Sequence, residues 1–150
     1  MPTARSRRPR GVVDTSVLVA GIAGFRAGAI SPSNPSAQFL RDWLERGTFT
    51  WIVSEEILDE YKAVLGRLKV RRETIGVLIN LLREEAELIA PRIKKISPDP
   101  ADDPFCACAE DGGADFLVTL NPKDFPQAVL SAKVLAPGVP LPSRRISRRR

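Results

Sequence analysis

Gly11-Val-Val-Asp-Thr-Ser-Val-Leu-Val-Ala-Gly21 is the stretch on which the reading of this chain turns. Gly11 to Asp14 has the apolar, β-branched character of a short buried strand, and it ends abruptly on a carboxylate. The apolar run from Ser16 to Ile22 then opens a helix. A carboxylate at the end of a buried strand is costly unless it is paired, hydrogen-bonded or bound to a cation. Asp14 is therefore the first candidate functional residue. Its structural alternative is an N-cap for the following helix, a task that both Asp and Ser perform.

Downstream, helices and strands alternate. Gly24 to Pro35 is rich in Gly, Ser and Pro and reads as a loop. Ala37–Arg46 is an amphipathic helix with Phe39, Leu40, Trp43 and Leu44 inward and Gly47 as its stop. Phe49–Val53 reads as a second strand. Ser54 caps a helix to about Leu68, and Arg72–Glu87 carries another with Ile75, Leu78, Ile79, Leu82 and Ala86 on one face. A short strand is expected around Leu88–Ala90. Pro98–Pro104 is an acidic loop leading into a helix that stops near Gly112-Gly113. Phe116–Thr119 is a buried strand and Lys133–Leu135 a final short one. Strands separated by helices predict a three-layer α/β/α fold around a parallel sheet of about five strands. In such sheets the site lies at the carboxyl ends of the strands, near the reversal of strand order.

Composition narrows the chemistry. With 150 residues, 43% hydrophobic and 27% charged, the chain suits one domain with a sizeable core. No apolar run approaches the ~20 residues of a membrane span, because Asp14 interrupts the longest candidate. There is no histidine, which excludes Ser-His-Asp and Cys-His hydrolases, histidine zinc sites and histidine bases. Cys106 and Cys108, two apart in an expected helix, diverge too far for a disulfide and are too few for zinc; they read as small core residues. Nothing argues for an oxidising compartment. Ser6-Arg7-Arg8 before an apolar stretch superficially resembles an export signal, but Pro9-Arg10 and Asp14 interrupt it, and a cytoplasmic protein is expected.

The net charge of +5 is unevenly placed. Residues 1–10 carry four arginines and residues 144–150 five, without a single acid in either, while 11–143 holds 14 basic against 18 acidic residues. The division expected is a basic arm over 1–10, a domain over 11–137 and a second basic arm over 138–150. Such arms raise affinity for polyanions, and would help to hold a phosphodiester substrate; the alternative is a pair of solvated tails.

Three further acids pass the filter of lying at strand ends or helix starts. Glu60 falls on the rim of the apolar arc formed by Ile57, Tyr61, Val64, Leu65 and Leu68, while Glu55 and Asp59 point to solvent and Glu56 is its rival. Asp103-Pro104 is an N-cap followed by proline at the first helical position, so capping and function are equally good readings, with Asp99 and Asp102 as neighbours. Asp124-Phe-Pro-Gln127 matches the capping-box pattern. Together, several acids at strand ends without histidine suit a hard divalent cation, Mg²⁺ or Mn²⁺, acting on a phosphoryl group. No Gly-x-x-x-x-Gly-Lys-Ser/Thr loop is present, which counts against an NTPase.

Three blocks carry a family resemblance: Val12–Gly21, Ile57–Leu65 and Asp103–Phe125. In combination they resemble a PIN domain, the fold of VapC-type toxin endoribonucleases, over roughly residues 11–137. The resemblance places the family's acids on Asp14, Glu60 and Asp103, and its spacing from acid to strand selects Asp103 over Asp102 and Asp99. Many relatives have an aspartate where this chain has Asn121, leaving Asp124 as the fourth carboxylate. Ser16, Thr119 and Asn121 are then hydrogen-bonding support. The resemblance implies metal-dependent hydrolysis of single-stranded RNA, leaving a 5′-phosphate and a 3′-hydroxyl, in a homodimer with a small antitoxin partner. A haloacid-dehalogenase phosphatase is disfavoured because Asp14-Thr-Ser16 lacks the second aspartate, and a receiver domain because no lysine follows Val118-Thr-Leu-Asn121. A PIN-like binding module that has lost catalysis is the alternative.

Overall fold

The computed structural model describes residues 7–26, 34–92 and 99–145. Five strands form one parallel sheet: β1 (Arg10–Val13), β2 (Thr50–Val53), β3 (Glu87–Leu88), β4 (Phe116–Val118) and β5 (Lys133–Leu135), in the order β3-β2-β1-β4-β5. The helices are α1 (Thr15–Arg26), α2 (Pro35–Arg46), α3 (Glu55–Arg67), α4 (Arg72–Glu85) and α5 (Asp103–Asp111). This is a three-layer α/β/α architecture. From β1 the chain steps outward to β2 and β3, then returns to the other side of β1 for β4 and β5, so the order reverses between β1 and β4.

The central strand pair dictates an unusually close contact. Gly11 pairs with Phe116, and a Cβ at Gly11 would meet the Phe116 ring at 2.1 Å. The missing side chain thus lets the aromatic ring lie across β1. Around it Phe39, Phe49, Trp43 and Trp51 form a chain of tilted and edge-on rings with centroids 4.8 to 6.4 Å apart, and Trp51 continues to Tyr61 and Phe105. Rings of this size dominate the apolar area removed from water.

Local signals explain the element limits. Asn34 caps α2 through Ala37 N (3.1 Å), with Pro35 at the first helical position. Gly47, in the left-handed region at φ 58°, ends that helix by donating to the Trp43 carbonyl at 3.0 Å. Ser54 caps α3 through Ile57 N at 3.2 Å. Both cysteines are buried and unpaired, and burial pushes each thiol up to about 12.

Several boundaries differ from the sequence expectation. The helix after Asp14 continues to Arg26 and the next begins at Pro35, so both enter the expected loop over 24–35; its centre, 27–33, lies outside the described residues. Leu44 is 53% exposed. Helix α1 covers the amino-terminal half of that side of α2, where Gly21 sits under Leu40 and Gly24 against Ala37, and Leu44 lies one turn beyond. The third strand is Glu87–Leu88, fixed by pairing with Ile52 and Val53 at the sheet margin. Of the expected acidic loop over 98–104, residue 98 lies outside the described residues, and Pro100–Asp102 forms a 3₁₀ turn. Among the described residues no helix is long and apolar enough to cross a membrane.

Candidate active site

Asp14 sits at the reversal of strand order. Its N–H donates to the Val118 carbonyl at 2.9 Å, extending the β1–β4 ladder by one residue, and its carbonyl accepts from Val17 N at 3.0 Å to begin α1. Strand and helix therefore pin the same peptide. Its Oδ2 accepts from Ser16 Oγ at 2.6 Å and Thr119 Oγ1 at 2.9 Å. Each hydroxyl is itself oriented by a backbone donor, Leu120 N on Ser16 Oγ and Asn121 N on Thr119 Oγ1, both at 3.1 Å. Among the described residues no N–H of the first turn of α1 donates to this carboxylate, so the capping alternative is not what the structure forms.

A cleft of about 490 Å³ opens beside Asp14. Glu60 of α3, half-buried, faces it from one side, and Asp102, half-buried at the end of the 3₁₀ turn, from another. Val19, Ala20 and Ala23 of α1 and Val64 and Leu68 of α3 make its apolar walls. The remaining acids of α3 are held elsewhere: Glu55 pairs with Arg83 at 2.7 Å, Asp59 pairs with Lys62 at 3.4 Å, and Glu56 is exposed.

Asp102 carries the clearest electrostatic signature. Its carboxyl is raised to about 6, first by burial and then by the charges of Asp99, Asp14, Asp124 and Asp103. The acids of the carboxyl edge thus act on one another. Among the described residues none of Asp14, Glu60, Asp102 or Asp124 takes part in a salt bridge.

The structure brings Asp14, Glu60 and Asp102 round the cleft. Asp103, half-buried, follows as the first residue of α5 and is not among the lining residues. It is also helical itself and not the cap: Asp99 caps the preceding 3₁₀ turn through Ala101 N at 3.0 Å. Asp124 is exposed at the end of the Pro122–Asp124 turn, and it closes no capping box. Gln127 instead ties β5, donating to the Ala132 carbonyl at 2.8 Å and accepting from Val134 N at 2.7 Å. Asp102 and the apolar walls were absent from the sequence candidates as positive choices. The aspartates at 99, 102 and 103 look alike in sequence, and the 3₁₀ turn sets Asp102 in the lining of the cleft that Asp14 shares.

The donor set fits a hard divalent cation in kind, being carboxylate and hydroxyl oxygens around unneutralised charge. It is not gathered into a cage: no three His, Cys, Asp or Glu side chains among the described residues form a group that could hold a metal ion.

A PIN-domain family model matches residues 10–123, from the first residue of β1 to the turn after β4, and the chain belongs to that family. A comparison with curated proteins returns no match. PIN domains are in general nucleases that use divalent metals and bind RNA.

Proposed function

We propose that the chain is a metal-dependent endoribonuclease that hydrolyses phosphodiester bonds of single-stranded RNA, with its nuclease domain over residues 11–137. The observation that carries this reading is the position of Asp14, at the strand-order reversal, held by two hydroxyls and sharing a cleft with Glu60 and Asp102. Asp14, Glu60 and Asp103 would hold Mg²⁺ or Mn²⁺, with Asp124 at the outer margin and Asp102 as an added candidate from the cleft. When bound, the cation supplies charge neutralisation at a phosphoryl oxygen and acidifies a water molecule. Ser16 and Thr119 fix the rotamer of Asp14, and the backbone of Leu120 and Asn121 fixes those hydroxyls in turn.

The family resemblance extends this reading to a VapC-type toxin, a homodimer in the cytoplasm whose small antitoxin partner covers the cleft. The spread of the acids favours a second reading, a PIN-like binding module without catalysis. One experiment separates them: a labelled RNA panel incubated with Mn²⁺, Mg²⁺ or EDTA, using wild type, Asp14→Asn and Asp103→Asn. Metal-dependent cutting lost in both variants establishes the nuclease. RNA binding without cutting under any metal establishes the binding module.

A further inference from the structure

Tyr61 stands where the three acid-bearing elements meet. It follows Glu60 in α3 and is fully buried. Its hydroxyl donates to the Val13 carbonyl at 2.5 Å. Its ring is edge-on to Trp51 of β2 and tilted against Phe105 of α5, with centroids 6.4 Å apart in each pair. Phe105 lies in the same helix turn as Asp103 and lines the cleft.

The hydroxyl answers a need that the sheet creates. In a trans peptide the C=O and N–H point to opposite sides. The Asp14 N–H faces β4, where it donates to Val118, so the Val13 carbonyl of the same peptide faces β2. Pairing with β2 runs Arg10↔Thr50 and Gly11↔Trp51 and then stops, because β2 ends at Val53 and the chain enters α3 through the Ser54 cap. The Tyr61 hydroxyl takes up that carbonyl instead. The peptide that carries Asp14 is thus held on both sides, by β4 at its N–H and by α3 at its carbonyl. A buried phenol without this bond would be costly, whereas phenylalanine would fill the same space with no polar atom to satisfy. Burial also pushes the phenol well above its ordinary value, so it stays a donor at neutral pH.

We propose that Tyr61 is a positioning residue for the proposed nuclease: its hydroxyl on the Val13 carbonyl and its ring against Phe105 set the spacing of Asp14, Glu60 and Asp103 for a divalent cation. This inference rests on the reading of those carboxylates as cation ligands. Tyr61 is not among the residues that line the cleft, so it acts through the backbone of Asp14 and the helix that carries Glu60.

The test is Mn²⁺ binding to the full chain, followed by electron paramagnetic resonance without RNA, beside kcat and KM on a labelled single-stranded RNA. Tyr61→Phe removes one oxygen and keeps the ring. It should fold, weaken Mn²⁺ binding by about 10- to 100-fold and lower kcat on a similar scale, with KM for RNA unchanged. Phe105→Leu, which frees the other side of the ring, should weaken Mn²⁺ binding to a smaller extent. Asn34→Ala removes the α2 cap at a comparable loss of stability and should bind Mn²⁺ as the wild type does. Wild-type Mn²⁺ affinity in Tyr61→Phe would overturn the inference, as would an equal weakening in Asn34→Ala, which would mark a general loss of stability. A wild type that binds Mn²⁺ but cuts no RNA defeats the nuclease reading, and the Mn²⁺ shift alone then decides this inference. A wild type that binds no Mn²⁺ overturns both.

Discussion

The two edges of the sheet hold the same residue type to opposite ends. At the amino edge Asp115 is almost fully enclosed, yet two backbone N–H groups and a guanidinium meet it. At the carboxyl edge Asp14 and Asp102 are less enclosed, have no ion pair among the described residues, and share their field with further acids. Burial alone therefore does not distinguish structural from functional aspartate. Charge compensation does: a carboxylate met by two N–H groups and a guanidinium stabilises the fold, whereas on the proposed reading the acids that have no ion pair among the described residues are the ones open to a cation.

The contrast breaks most visibly at Asp14. Asp14→Asn is expected to lower RNA cleavage by ~10³-fold or more while its melting temperature stays near that of the wild type; single-turnover cleavage beside a thermal melt checks both halves. Asp115→Ala should do the reverse, costing about 1–3 kcal/mol of stability by orphaning two part-buried N–H groups and an arginine. Urea denaturation reads that cost, and an unchanged midpoint would remove the distinction between the edges.

Smaller effects sharpen it. Ser16→Ala or Thr119→Ala frees the Asp14 rotamer and should lower activity by about 10- to 100-fold, the usual scale for groups that orient a ligand. Restoration by Ser16→Thr or Thr119→Ser, seen in kcat, separates orientation from a packing loss. Asp102→Asn should stabilise the protein at pH 7 by roughly 1 kcal/mol, after allowance for solvent screening of a half-exposed group. The sign follows from its raised value of about 6 against an ordinary 3.8. The folded state holds the proton more tightly, so stability contributed below about pH 4 is lost as pH rises to about 6. The variant's melting curve should lack that decline.

Much of this was legible before any coordinates, and the failures share a cause. β1, β2 and β4 announced themselves because a strand buried on both faces leaves a largely apolar run, and Asp14 stood out by ending one. The outward angle of Glu55 and Asp59 followed from helical periodicity alone. By contrast β3 consists of two exposed residues whose strand character comes from β2, not from their own side chains. Leu44 lay in the apolar arc but beyond the helix that covers it. That Asp102 lines the cleft follows from one 3₁₀ turn, which no periodicity records. The convergence of the two basic segments was equally hidden, since residues 10 and 145 meet only through a third, Asp115.

That shared carboxylate makes the segment 10–145 almost a closed ring. A short linker from 145 back to 10 would span little more than the two N–H groups already resting on Asp115. The backbone could then be opened at the exposed turn around Lys69, giving a circular permutant with every strand still in register. In such a permutant the acidic cleft keeps its residues while the arginine segments can be omitted or reattached at will.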